Sequence, residues 1–200
     1  MQVVTHTELG WVEVICGPMF SGKSEELIRR LKRSLIARQP LQIFKPRIDD
    51  RYHATRIVSH SDHYIDAVAV QTSEELARAV LPETRVVGID EVQFFDAGIV
   101  QVAERLAHQG IRVIVAGLDQ DYTGKPFEPV PQLLCVAEYV TKTLAICSRC
   151  GQPAGRSQRL VELESQVLVG ATDSYEPRCR RCHSPRAEPQ TRSLFGDNAE

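Results

Sequence analysis

The chain has 200 residues, 42% hydrophobic and 25% charged, enough apolar side chain to bury a core and too much to suit a disordered chain. A formal charge of −2 excludes a global basic field, so no nucleic-acid partner is expected and a small anionic ligand fits better. No apolar stretch approaches the ~18 residues of a membrane span, Met1 to His6 lacks a signal-peptide pattern, and four of the six cysteines fall in C-x-x-C pairs; a cytoplasmic protein without membrane partner or disulfide framework is expected.

The first element is the run Trp11-Val12-Glu13-Val14-Ile15-Cys16, short and apolar but for Glu13, as suits a strand buried on both faces. Gly17-Pro18-Met19-Phe20-Ser21-Gly22-Lys23-Ser24 follows directly as G-x-x-x-x-G-K-S, and Glu25 to Leu31, continued by Leu35 and Ile36, carries helical apolar spacing. Strand, glycine-rich loop and helix are the context this motif needs to be a phosphate loop. The glycines let the backbone curl until successive N–H groups face phosphate oxygens, and the helix N-terminus adds positive potential. Gly17 to Ser24 are therefore the expected nucleoside-triphosphate site, with Lys23 reaching the β- and γ-phosphates and Ser24 ligating Mg²⁺.

Leu41-Gln42-Ile43-Phe44, Val86-Val87-Gly88-Ile89 and Val113-Ile114-Val115-Ala116-Gly117 repeat the look of a buried strand. Helical patterns lie between them: Glu75 to Val80 behind a Ser73 cap, and Ile99 to Leu106 ending before Gly110. The alternation predicts an α/β fold with a parallel sheet and right-handed crossovers. Arg47 to Asp66 is polar and aperiodic and is expected to be a long flexible loop. The strand at Val86 ends in Asp90-Glu91, the arrangement by which P-loop proteins hold Mg²⁺ and set a base near the γ-phosphate. Asp90 is the expected metal holder, through water, and Glu91 the expected base; P-loop ATPases use a glutamate here to orient water, so the pair leaves the acceptor open.

From Ala145 the texture changes to Cys, Gly, Pro and Arg. Cys147-Ser148-Arg149-Cys150 and Cys179-Arg180-Arg181-Cys182 place two C-x-x-C pairs on separate turns, the thiolate set of a closed structural Zn²⁺ site, with His183 an alternative ligand. A closed site has no position for substrate, so this metal should stabilise rather than react. Cys16 and Cys135 are expected to be small buried residues. The excursion between the pairs carries Leu168 to Arg178, where Gly170 permits close backbone approach to a ligand and Tyr175 offers a ring or hydroxyl. These boundaries predict a phosphate-loop α/β domain over 1–144, a zinc-binding domain over 145–185 and a loose tail over 186–200.

Together, Gly17 to Ser24, the run Gly88-Ile89-Asp90-Glu91-Val92-Gln93-Phe94-Phe95, the run Gly117 to Phe127, the two C-x-x-C pairs and Val169-Gly170-Ala171 to Tyr175 resemble the zinc-containing, type II thymidine kinase family, in the family's motif order from Trp11 to Cys182. The resemblance implies a RecA-like P-loop domain, a small zinc domain with a lasso-like substrate loop, and phosphoryl transfer from ATP to the 5′-hydroxyl of thymidine with Mg²⁺, in a homotetramer. It assigns ATP to Gly17–Ser24, to Asp49, Asp50 and Arg51, and to Asp90, Glu91, Val92 and Gln93, with Glu91 as base toward the 5′-hydroxyl. It assigns the nucleoside to Tyr122, to the backbone of Gln166, Val167, Leu168, Val169 and Gly170, and to Tyr175; Cys147, Cys150, Cys179 and Cys182 hold zinc, and Arg159 matches a position that helps order the lasso. Tyr122 departs from a family pattern that often has Phe, and its hydroxyl needs a partner. Two other classes share parts of these signals: a RecA-like ATPase acting on nucleic acid, against which stand the short, slightly acidic chain and the lack of a stacking platform, and a zinc-ribbon interaction module, which leaves the phosphate loop without a use.

Overall fold

The computed structural model describes residues 9–48, 56–58, 64–161 and 174–186, with backbone alone at 56–58, 64 and 65. The apolar runs become strands of one sheet because each has two faces to bury. In chain order the strands are β1 (Trp11–Cys16), β2 (Leu41–Pro46), the outlying pair β3 (Arg56–Val58) and β4 (Tyr64–Asp66), then β5 (Val68–Val70), β6 (Val86–Ile89), β7 (Arg112–Gly117) and β8 (Tyr139–Lys142). Six of them form a wholly parallel sheet in the order β5-β2-β6-β7-β1-β8. The alternating and continuous apolar patterns agree with this parallel α/β sheet.

Helix α1 (Lys23–Ile36) covers one face, where Leu27, Ile28 and Leu31 meet Ile15, Ile43 and Ile114. Gly88 allows this packing, since a Cβ there would stand 2.9 Å from both terminal carbons of Leu31. The opposite face is covered by α2 (Ser73–Ala79), α3 (Gly98–His108) and α4 (Val130–Val136), over a larger cluster that includes Val14, Phe44, Val87, Ile89, Ile99, Leu106, Val115 and Leu133. Beyond β8 the chain forms two small antiparallel pairs, β9 (Ala145–Ile146) with β10 (Pro153–Ala154) and β11 (Arg156–Arg159) with β12 (Tyr175–Arg178).

Three expectations need correction. The cap of α2 is Thr72, whose hydroxyl accepts the Glu75 amide at 3.1 Å; the Ser73 hydroxyl is instead taken by Asp96 at 2.5 Å. The stretch from Arg47 to Asp66 is no unbroken loop, because β3 and β4 pair antiparallel within it. Cys135 is exposed, on the outer side of α4, whereas Cys16 is buried as expected.

Candidate active site at the carboxyl ends of the strands

The turn after β1 takes the shape its glycines permit. Gly17, Phe20 and Gly22 have φ of 148°, 63° and 80°, so the backbone reverses its curl within six residues, the kind of alternation from which anion nests are built. Helix α1 starts at Lys23 with no side-chain cap, which leaves its first-turn amides open to an anion. Lys23 Nζ donates to the Pro18 carbonyl at 2.7 Å, holding the ammonium over the loop. Thr143, just past β8, closes the foot of the loop. Its amide donates to the Cys16 carbonyl at 2.8 Å, its hydroxyl lies 2.8 Å from Ser21 Oγ, and a Cβ on Gly17 would come within 2.4 Å of its carbonyl oxygen. Burial pushes the Cys16 thiol up to about 11, aided by Asp119, so it stays protonated beside the loop.

One strand lies between β1 and β6, and β6 delivers the acid pair. The Ser24 hydroxyl donates to Asp90 Oδ2 at 3.1 Å, bringing the two expected Mg²⁺-holding residues into direct contact. Asp90 Oδ1 accepts the Glu91 amide at 3.0 Å. Glu91 adopts a left-handed conformation, φ 48° and ψ 42°, rare for a residue with a Cβ and concentrated at functional sites. Gln93 holds it there: Nε2 donates to Glu91 Oε2 at 2.5 Å while Oε1 accepts the Leu118 amide at 3.0 Å, tying the end of β6 to the end of β7. Val92 is fully buried behind this turn. Lys45, also at the carboxyl end of the sheet, is 2% exposed one residue beyond the Phe44–Ile89 pair.

The loop after β7 carries Tyr122 and is itself a tight hairpin. Asp121 Oδ1 accepts the Thr123 amide, the Thr123 hydroxyl and the Lys125 amide, and Phe127 N donates to the Asp119 carbonyl at 3.1 Å. Such an Asx-type turn prearranges the loop. The ring of Tyr122 lies under the Arg159 guanidinium, 3.7 Å from carbon to centroid, and Arg159 also donates to the Tyr175 hydroxyl from Nη2 at 2.7 Å and Nε at 3.2 Å. Arg159 is 1% exposed, so this cation is shielded and its ring contact is correspondingly strong. Tyr122 and Tyr175, 53 positions apart in sequence by subtraction of their numbers, are thus joined through one guanidinium.

The sulfurs of Cys147, Cys150, Cys179 and Cys182 all lie within 4.8 Å of one another. Cys150 and Cys179 stand 3.6 Å apart, too far for a disulfide. A tetrahedral thiolate site with bonds of about 2.3 Å spaces its sulfurs about 3.8 Å apart, so the four cysteines are positioned to bind a metal ion. Each pair rides on a tight turn, with Gly151 N bonded to the Cys147 carbonyl and Cys182 N to the Cys179 carbonyl. Burial works to raise the Cys179 thiol, but the Cys182 amide and the neighbouring thiols overcome it and bring the group down to about 7. His183 is not in the cluster; its Nε2 donates to the Tyr122 carbonyl at 2.8 Å.

Gly17 to Ser24, Asp90 to Gln93, Tyr122, Tyr175 and the four cysteines therefore all lie in one connected region. Asp49, Asp50, Arg51 and Gln166, Val167, Leu168, Val169 and Gly170 lie outside the described residues. Motif reading missed Thr143, Ser157, Arg156 and the second role of His183. Ser157 Oγ accepts the Met19 amide at 3.0 Å, and Arg156 donates to Gln120 and to the Gly124 carbonyl. These contacts join segments far apart in sequence, 138 residues for Met19 and Ser157, and leave no local pattern to read.

A parallel α/β sheet with a glycine-rich G-x-x-x-x-G-K-S loop after one strand, an acid pair after another and four clustered cysteines beside them has the arrangement of an α/β protein of P-loop type with a candidate metal-binding element. The family model described as thymidine kinase matches residues 10–183, and the chain belongs to the thymidine kinase family. It is 55% identical over 186 residues to a thymidine kinase of Rhodothermus sp. (strain ITI 518), covering 93% of this chain and 87% of that protein. Among solved structures, the Pif1 helicase of Candida albicans aligns with a TM-score of 0.38 at 14% identity, over 71% of this chain and 40% of the helicase, a likeness too slight to carry an argument.

Proposed function

We propose that this enzyme transfers the γ-phosphoryl group of ATP to the 5′-hydroxyl of thymidine, giving dTMP and ADP, in a salvage step that feeds DNA synthesis. Family membership is the observation that carries the reading. Phosphoryl transfer demands in-line positioning and neutralisation of charge on the transferring group more than covalent help from the protein. Gly17 to Gly22 and the open end of α1 would bind the phosphates, Lys23 would leave the Pro18 carbonyl for the β- and γ-oxygens, and Arg51 would add a cation. The contact between Ser24 and Asp90 supports these two as the holders of Mg²⁺, which supplies charge neutralisation across the phosphates when bound. Glu91, aimed by Gln93, would accept the 5′-hydroxyl proton as the bond to phosphorus forms.

Tyr122 and Tyr175 would hold the nucleoside, with the backbone of Gln166 to Gly170 reading its base edge. A site built to hydrogen-bond one base rejects another because the mismatched group stays buried and unpaired. The four cysteines would hold zinc, whose preference for closed thiolate sites fits the sulfur spacing, and residues 1–144 and 145–185 would be the phosphate-loop and zinc-binding domains. A cytoplasmic homotetramer is part of the same reading. No helix among the described residues is long and apolar enough to cross a membrane, and the outer edge of β8, with Tyr139 60% and Val140 51% exposed, is a surface that association would cover. Sedimentation measures that state directly.

The reaction is tested by following ADP release with thymidine, with no acceptor and with single-stranded DNA. Release that depends on thymidine supports the kinase. Release that depends on DNA and ignores thymidine overturns it in favour of a nucleic-acid ATPase.

A further inference from the structure

The phosphate loop meets the four-cysteine unit at its tip and, at its foot, the chain that leads into that unit. At the foot, Thr143 stands four positions before Cys147 and closes over Gly17. At the tip, Phe20 packs against the buried cluster of Ala145, Cys147, Ala154 and Cys179, with Cys182 beside it. Two members of that cluster, Cys147 and Cys179, belong to the four-cysteine set, and a third cysteine of the set, Cys182, packs against the same cluster. Phe20 also has φ of 63°, a conformation that persists in a residue with a Cβ only where the surroundings impose it. The cysteine unit is one surface against which Phe20 is packed in that conformation.

We propose that Phe20 is a positioning residue through which the metal-loaded cysteine unit holds the phosphate loop in its anion-binding shape, so that metal occupancy and ATP affinity are coupled. The proposal rests on the reading of Gly17 to Ser24 as the ATP site. A bound metal would be the common partner that draws these four sulfurs together, so the fold of the unit and the apolar seat it offers would depend on the metal. Loss of the seat frees Phe20 to leave its left-handed conformation, and the loop with it to leave its anion-binding shape. Coupling between two sites is reciprocal: whatever factor the metal adds to ATP affinity, ATP must add to metal retention.

The test uses the full chain loaded with zinc. ATP affinity is measured by calorimetry, and zinc loss by transfer to a chromophoric chelator with and without saturating ATP. In the unsubstituted protein ATP is expected to slow zinc loss about tenfold, within the usual span of coupling between sites. Phe20→Ala should keep its zinc, bind ATP about tenfold more weakly and show no slowing of zinc loss by ATP. Phe20→Leu, which keeps an apolar group on the seat, should fall between, and it decides the matter if the alanine variant does not accumulate. Unchanged ATP affinity in the zinc-loaded variants, or zinc loss in the unsubstituted protein that is indifferent to ATP, overturns the coupling. Lys23→Ala separates this from the underlying reading. If it too leaves ATP affinity unchanged, the phosphate-loop assignment falls; if it weakens ATP while the Phe20 variants do not, only the coupling falls.

Discussion

At the scale of single residues, the site is governed by what aims each group. Glu91 is held by a left-handed backbone and by the Gln93 amide, so replacing its carboxylate while keeping its shape isolates proton acceptance. Glu91→Gln is expected to lower kcat about 10²-fold or more with ATP binding retained; single-turnover rates and calorimetry check both halves, and near-normal turnover would remove Glu91 from the mechanism. The Tyr175 hydroxyl accepts two bonds from buried Arg159. Tyr175→Phe removes a charge-assisted acceptor of the kind that contributes about 1.5–3 kcal/mol, so KM for thymidine should rise tenfold or more while KM for ATP moves little. An equal rise in both would show that Tyr175 supports the whole fold rather than the nucleoside. Tyr122 was readable from the sequence as an unusual polar ring. Its partner was not, because stacking on Arg159 is a matter of approach in space.

At the scale of elements, strands with two apolar faces announced themselves and edge elements did not. β1, β2, β6 and β7 are built mainly of apolar residues and are largely buried, whereas β8 is Tyr-Val-Thr-Lys, largely exposed, and exists because its backbone pairs in parallel with β1. Its importance lies in delivering Thr143 to the foot of the phosphate loop. A Cβ on Gly17 would collide with the Thr143 carbonyl at 2.4 Å and would sit at a φ of 148°. Gly17→Ala should therefore abolish measurable ATP binding and lower the melting temperature; a variant that binds ATP normally would show that the loop tolerates another shape. On α1, the side-chain bond from Arg29, with help from Arg30, holds the Glu26 carboxyl at about 2, below its ordinary 4.5. A carboxyl lowered on folding stabilises fully above its unfolded value, and the contribution fades as pH falls from about 4.5 toward 2. Glu26→Gln should then be less stable than the parent at pH 7 and should lose less on acidification, as read by urea unfolding between pH 7 and 3. Parallel stability curves for the two would contradict the assignment.

At the scale of the whole molecule, the four-cysteine unit connects the two halves of the site. It seats Phe20 and receives the Met19 amide on the phosphate-loop side, and through Arg156, Arg159 and His183 it grips the Tyr122 loop on the other. The C-x-x-C spacing pointed to the four cysteines that the fold brings together, because metal geometry is written locally in sequence. The bridging role was not legible, since Ser157, Arg156 and His183 look ordinary until the chain closes on itself. Removing the metal should consequently weaken both substrates, and Cys150→Ser, measured for zinc content and for both KM values, should raise KM for thymidine and for ATP together. Full activity in protein shown to be metal-free would rule out a structural metal. γ-Phosphoryl transfer is expected to end on the 5′-oxygen of thymidine. The most direct measurement incubates the enzyme with ATP, Mg²⁺ and a panel of nucleosides and identifies the products by mass and by phosphorus NMR. The expected result is thymidine 5′-monophosphate formed in step with ADP and lost in Glu91→Gln; inorganic phosphate as the sole phosphorus product beside ADP, whatever nucleoside is present, would contradict it.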